Sequence, residues 1–456
     1  MKNLVFILII FCHSKSYCQH SVFKPLRYDE DYSYLKDDTA KNYWYKKTKF
    51  ITLSKNKATY LSFGGEYRYQ YFYFKNESWG SEPKDGDGYL LSRFLGHIDL
   101  HAGEFFRTFI QLQSSLANGK VNSSPVDENQ LDLHQAFFDV MIPFSKEKII
   151  TARIGRQEFL YGSQRLVSTK EGPNNRQSFD AAKIIYNSKQ FRAEGFLSTC
   201  VISKRAIFDD KFSSNIKFWG GYAVINKIPV LENIDLYYLG LWKRAARFDD
   251  GFTGERRHSL GTRIWNKSEN VEYDFEAVYQ FGKFGNADIS SWTVSSNTTY
   301  TFSATRYRPS INIKAELISG DEDYNDKKLN TFNPLFPRGN YFGYAALIGP
   351  ANLLDIHPSV SLDLSKTLNL TFDYDAFWRF SKHDGIYGPG GALLYSGKNT
   401  MSKYIGDQYS VVVLYVPINF LYFRGEATWF NTGEFLKEAS PGKDIIFTGI
   451  TMQFKF

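Results

Sequence analysis

The chain has 456 residues, 55 Lys+Arg against 48 Asp+Glu, and an apolar fraction of 43%, with 40 Phe, 31 Tyr and 8 Trp bringing rings to 17% of the sequence. Rings at that density favour strands and interfaces, and after the first dozen residues no run of about 18 uncharged apolar residues exists to cross a bilayer as a helix. A formal net charge of +7 is too mild for a nucleic-acid footprint, so no nucleic-acid partner is expected.

In chain order, Lys2 precedes the apolar run Leu4 to Phe11, and a short polar stretch leads to Tyr17-Cys18-Gln19. Residues 1–18 read as a secretory signal peptide cut before Gln19. Cys12 and Cys18 follow the bulky rings of Phe11 and Tyr17, which does not suit lipid attachment. Cleavage leaves Cys200 alone, so no disulfide is expected. Residues 19–60 carry no clean pattern and are assigned to a periplasmic lead-in segment. From residue 61 the sequence alternates. Phe63, Tyr67, Tyr69, Tyr71 and Tyr73 share one face, with Glu66, Arg68 and Gln70 opposite. The same period of two returns in Leu370 to Phe380 and Phe420 to Phe430, and period two means strand.

Eighteen candidate strands follow between residues 61 and 455. Tight turns at Gly103, Ser188-Lys189, Asn266 to Asn270, Ser365-Lys366 and Pro417-Ile418 alternate with long polar loops. Those loops are expected at 75–88, 116–130, 158–178, 200–215, 244–256, 282–296, 319–355, 380–405 and 430–444. Short turns on one rim and long loops on the other, with strands of ~10 residues in even number, predict an all-β fold, a transmembrane antiparallel β-barrel of the outer-membrane kind over residues 61–456. Its outer face meets lipid, with Tyr67, Tyr73, Trp378 and Trp429 placed for interfacial girdles. The strand Ile445 to Phe456 closes on an aromatic, the pattern that outer-membrane assembly machinery reads.

Chemistry is sparse. The sequence has no GxSxG, HExxH, phosphate-binding loop or paired Cys/His spacing, so neither an enzyme nor a cofactor is expected. His97 and His101 share a strand face and are read as satisfied lumen histidines. The carboxylate pairs Asp373/Asp375 and Asp274/Glu276 are read as rungs of a salt-bridge ladder. By phase, Arg68, Arg93, Arg107, Arg153, Arg192, Arg379 and Arg424 point inward, against Glu66, Asp99, Asp139, Glu194, Asp274, Glu276, Glu316, Asp373, Asp375 and Glu426. A lumen so lined is charged but mixed in sign. Guanidinium matches a carboxylate with two parallel hydrogen bonds, and clustered arginines suit a uronate polymer.

Gly155-Arg-Gln-Glu-Phe-Leu-Tyr-Gly-Ser-Gln-Arg-Leu-Val167, with Pro173-Asn-Asn-Arg-Gln-Ser-Phe-Asp180, resembles the alginate export porin family. So do Ala315 to Asp321, Thr331-Phe-Asn-Pro-Leu-Phe-Pro-Arg-Gly-Asn340 and Asn352-Leu-Leu-Asp355. The resemblance implies an eighteen-stranded channel that passes an anionic polysaccharide, alginate or a related acidic glycan, through an arginine-rich constriction. The matching positions are Arg156, Arg165, Arg176, Asp180 and Arg338. An architectural role would instead pair these arginines with Glu158 or Asp180, and Arg156 falls out of phase with Arg153. The alternative function is a general or oligosaccharide uptake porin. Export would normally bring periplasmic scaffold partners.

Overall fold

Alternation along each strand fixes the architecture, because a segment with one charged and one apolar face can satisfy both water and lipid only as part of a closed wall. The computed structural model describes residues 23–36, 44–84, 86–145, 147–324 and 326–456, and the expected signal peptide lies outside them. The wall begins with β1 Thr59–Lys75, β2 Tyr89–Ala102, β3 Phe106–Asn118, β4 Asn129–Ser145, β5 Lys148–Gln157 and β6 Phe179–Asn187. It continues with β7 Phe191–Ile202, β8 Lys211–Ile228, β9 Glu232–Phe248, β10 Gly251–Lys267, β11 Val271–Phe284 and β12 Ala287–Thr301. The last six are β13 Ser310–Ile318, β14 Leu353–Asp363, β15 Leu368–Arg379, β16 Tyr404–Ile418, β17 Leu421–Thr432 and β18 Ile445–Lys455. Each pairs antiparallel with its sequence neighbour, and β1 pairs with β18 from Glu66↔Lys455 to Lys75↔Ile446, so the barrel has no open edge.

Burial follows the phase read from the sequence. In β1 the outward Tyr67, Tyr69 and Tyr71 are exposed, whereas Glu66, Arg68 and Gln70 are buried. Ile154, Leu197 and Ile450 are 68%, 69% and 62% exposed, an apolar outer surface that water would not tolerate and lipid requires. Inside, glycine makes room at one informative point. A Cβ on Gly261 would lie 2.1 Å from the Tyr237 ring, so the absence of a side chain lets that ring lie flat on the inner wall.

Two expected loops are strand. Over 244–256, β9 and β10 turn at Asp249-Asp250, and over 282–296, β11 and β12 turn at Gly285-Asn286. Their polar residues are an inner face, not a solvent-facing loop: Arg257 donates to Thr331 O at 3.1 Å, and Glu255 accepts from Asn333 Nδ2 at 3.0 Å. The strands are long because they buttress the loop 319–352. Similarly, β16 runs through Ile418 and the turn falls at Asn419-Phe420 instead of Pro417-Ile418.

Candidate functional site

The lumen is filled by three segments that the strand phase does not describe. The first is the loop 158–178, which spans the interior from wall to wall. On one side Arg68 of β1 donates to Glu171 O at 2.7 Å and Pro173 O at 2.8 Å, and Asn174 donates to Ser92 O at 3.0 Å and Leu116 O at 3.1 Å. On the other, Arg165 reaches Glu316 at 3.0 Å, Glu276 at 3.0 Å and Asp274 at 3.3 Å. Tyr161 stacks on Tyr222 at 4.8 Å, and Tyr222 on Tyr237 at 5.2 Å. Gly155, at φ 133°, starts this crossing where a Cβ would lie 2.2 Å from Ala136 O.

The second segment is 319–352, tied to the first by main-chain bonds: Phe336 N to Leu166 O at 2.8 Å, Ser168 N to Phe336 O at 2.9 Å and Arg338 N to Gln164 O at 3.1 Å. The proline-rich motif at 331–340 is therefore the strip that docks onto the 155–167 motif. Asn352 closes this loop at its far end, its Nδ2 donating to Ser381 O, Asp384 O and Gly385 O at 3.1, 3.0 and 2.9 Å.

The third is part of the lead-in. Among residues 23–36, Tyr28 is buried between Phe109 and Phe137, with the Arg153 guanidinium 4.4 Å from its ring, and it donates to Glu158 O at 2.7 Å. Arg27 donates to Gly65 O at 2.8 Å and Phe456 O at 2.9 Å while holding Glu30 at 2.7 Å. Behind it, α1 (Trp44–Lys49) brings the Lys49 ammonium 4.9 Å from the Tyr32 ring.

The predicted site residues separate into four groups. Arg93, Arg165, Arg176, Arg153, Arg192 and Arg424 face the lumen, and each has a carboxylate partner. Arg153 meets Asp139 at 2.7 and 2.8 Å, Arg192 meets Glu194 at 3.1 Å, and Arg424 meets Glu426 at 2.5 Å beneath the Tyr344 ring. Arg338 is exposed and donates to Asn340 at 2.8 Å, and among the described residues no carboxylate lies within ion-pair distance of it. Arg379 is a strut beneath the segment 380–403, donating to Ser402 O, Lys382 O and Asp384 O. Arg156 and Asp180 lie on the outward phase of β5 and β6, paired in register and joined at 2.8 and 3.3 Å, so they clamp two strands from outside the lumen.

One cluster differs from a simple ladder. Arg93, Arg176 and Arg68 converge on Glu171: Arg93 makes a close ion pair with it, Arg176 lies at 3.1 Å and Arg68 at 3.5 Å. Arg93 and Arg68 are buried, while the Glu171 side chain is 35% exposed. Beside it, Lys170, Pro173, Asn174, Asn340 and Tyr344 line a cavity of 370 Å³. Sequence phase placed Arg68 and Arg93 inward but gave no sign of Glu171, because a loop residue has no periodicity to read.

A closed, charged-lumen, lipid-coated barrel of this kind is an outer-membrane channel of porin architecture. The sequence matches the Alginate export family over residues 59–444, and the chain belongs to that family. No curated protein sequence matches it. Among solved structures it is similar to Pseudomonas aeruginosa OccK11 (OpdR), at 12% identity, TM-score 0.53, with 90% of this chain and 97% of that one covered. It is similar also to a BenF-like porin from Pseudomonas fluorescens Pf-5, at 9% identity, TM-score 0.57 and coverages of 87% and 98%. A third is P. aeruginosa OccK2 (OpdF) in complex with glucuronate, at 9% identity, TM-score 0.55 and coverages of 90% and 99%. At these identities the likeness is one of fold.

Proposed function

We propose that this outer-membrane channel passes carboxylate-bearing glycans, an acidic polysaccharide such as alginate or its shorter uronate chains, by passive diffusion through the arginine cluster at Glu171. The observation that carries this reading is the cluster itself. Three guanidinium groups held by the wall and the loop 158–178 surround one half-exposed carboxylate of the protein, and a uronate carboxylate offers the same two oxygens. Glu171 then acts as an internal stand-in that cargo displaces: Arg93 keeps Glu66 and Arg176 keeps Glu158, and the cargo carboxylate takes over the place of Glu171 beside Arg68.

Uptake of oligosaccharides or small solutes is the second reading, favoured by the filling of the lumen by three segments: a short uronate needs less displacement than a polymer. The test is the reversal potential of the purified protein in a planar bilayer under a salt gradient, with and without uronate oligomers. Glu171→Gln is expected to strengthen anion preference and uronate block. A variant channel with the same selectivity as the parent, both of them indifferent to uronates, would remove the cluster from the transport path.

A further inference from the structure

The inner wall between β13 and β16 carries more carboxylates than its cations satisfy. Glu316 accepts from Arg165 at 3.0 Å and from the Tyr341 hydroxyl at 3.0 Å, and the Lys314 ammonium sits 3.4 Å from it. That leaves Asp355, paired with Glu316 in the β13–β14 register, with nothing: it is 1% exposed and neither carboxylate oxygen has a hydrogen-bond donor.

The neighbouring groups are turned toward it. His357 gives Nε2 to Asp373 at 2.8 Å, which fixes the ring and leaves Nδ1 facing the interior of the cluster. Nδ1 lies 2.5 Å from Asp375 Oδ1, yet neither atom has a hydrogen-bonding geometry to any partner. Asp375 is itself fully buried, its other oxygen taken by Gln408 at 2.7 Å. Ligand atoms of Asp355, His357 and Asp375 all fall within 4.8 Å of one another.

A close contact between Nδ1 and Asp375 Oδ1, beside a buried carboxylate with two unpartnered oxygens, gathers three potential ligand groups around one point. We propose that Asp355, His357 and Asp375 bind one divalent transition ion of zinc's class, with Asp373 as the positioning residue that orients the imidazole. The imidazole argues against an all-oxygen calcium or magnesium site, and two carboxylates with one nitrogen suit zinc. A carboxylate hydrogen-bonded to the far nitrogen of a ligating histidine is the usual outer support of such a centre. Bound here, the ion joins β14 to β15 and neutralises the surplus negative charge of the wall.

The experiment is a titration of the chelator-treated, detergent-purified full barrel with ZnCl₂ by calorimetry, and with CoCl₂ by visible absorption, whose bands report nitrogen and oxygen ligation. One equivalent of zinc is expected, with a raised thermal midpoint. Asp355→Asn should abolish stoichiometric binding, and Asp373→Asn should weaken it by roughly 10- to 100-fold. Should Asp355→Asn fail to fold, the Asp373 variant and the cobalt spectrum of the parent still decide. No stoichiometric zinc binding by the parent, or binding unchanged in both variants, would overturn the proposal and leave Asp355 as an unpartnered wall residue.

Discussion

At the scale of single residues, Arg156 and Arg153 show how much a position in phase decides. Three residues apart on β5, they point to opposite sides of the wall, Arg153 onto Tyr28 and Asp139, Arg156 onto Asp180 outside. The motif match carried Arg156 as a channel residue and strand phase carried Arg153, and period two puts only Arg153 on the inner face. Arg156→Glu places a carboxylate against Asp180 and Asp132. It is expected to cost about 1 kcal/mol of barrel stability, as a partly exposed pair does, and to leave ion selectivity unchanged. Thermal unfolding and reversal potential, measured together, check this, and altered selectivity would mean that Arg156 reaches the permeation path. Partnership was legible in part: the architectural alternative paired the motif arginines with Glu158 or Asp180, and Arg176 meets Glu158 at 2.7 Å and Arg156 meets Asp180 at 2.8 Å. The arginines of the wall could be assigned to the lumen from alternation alone, but Glu171 and Arg165 meet their partners through a loop whose path has no period.

Among the elements, the lead-in and the outer loops respond to pH with opposite signs. Burial, with Arg27 adding to it, brings the Lys49 amine down to about 7 from 10.5, against the charges of Glu30 and Asp99. Tyr32 and the His97 ring complete its surroundings. A lysine with a lowered value penalises seating most below about pH 7, and the seated state gains as pH rises toward the free value. After correction for the intrinsic rise of amide exchange with pH, the protection factors of residues 23–36 and 44–49 should therefore be lower at about pH 6 than at about pH 8.5, and Lys49→Met should flatten the difference. A profile unchanged by that substitution would assign the pH response elsewhere.

On the opposite rim, burial raises Asp384 to about 6 and Asp321 to about 7, with Asp249 adding to the first and Asp384 to the second. Raised carboxylates support the fold below their ordinary values and lose that support as pH climbs through 6 to 7. Asp384 accepts from Thr331 at 2.6 Å, Tyr387 at 2.7 Å and Asp321 N at 2.9 Å, so it joins the segments 319–352 and 380–403. Limited proteolysis of those segments should accelerate from about pH 5 to about pH 8, less steeply in Asp384→Asn. Equal cleavage at both pH values in the parent would count against the carboxylate as the cause. The strand elements were readable because each must alternate to face lipid. Long strands at 244–256 and 282–296 were hidden because their inward polar residues answer to another loop rather than to water.

For the whole molecule, the closed barrel of eighteen strands was legible in the alternation and in the contrast between the two rims, since lipid on the outside leaves few other solutions. The contents of the barrel were not. A lead-in with no pattern, residues 23–36, inserts Tyr28 among Phe109, Phe137 and Arg153 by side-chain fit, and fit of that sort leaves no repeat in a sequence. Excising residues 23–36 is expected to raise single-channel conductance several-fold while the barrel still forms. Unchanged conductance in a folded variant would mean that this segment does not limit flow.

The Arg27 contact bears on how such a molecule is built. Its two acceptors, Gly65 O and Phe456 O, also pair with each other's amides at 2.9 and 3.0 Å, where the first and last strands meet. Before that seam is zipped the two oxygens are far apart along the chain, and the guanidinium has no receptor. The segment is made before every strand, yet it can lodge only after the last has been added. Its full set of contacts thus exists only in a finished cylinder and not in a sheet still open at one side.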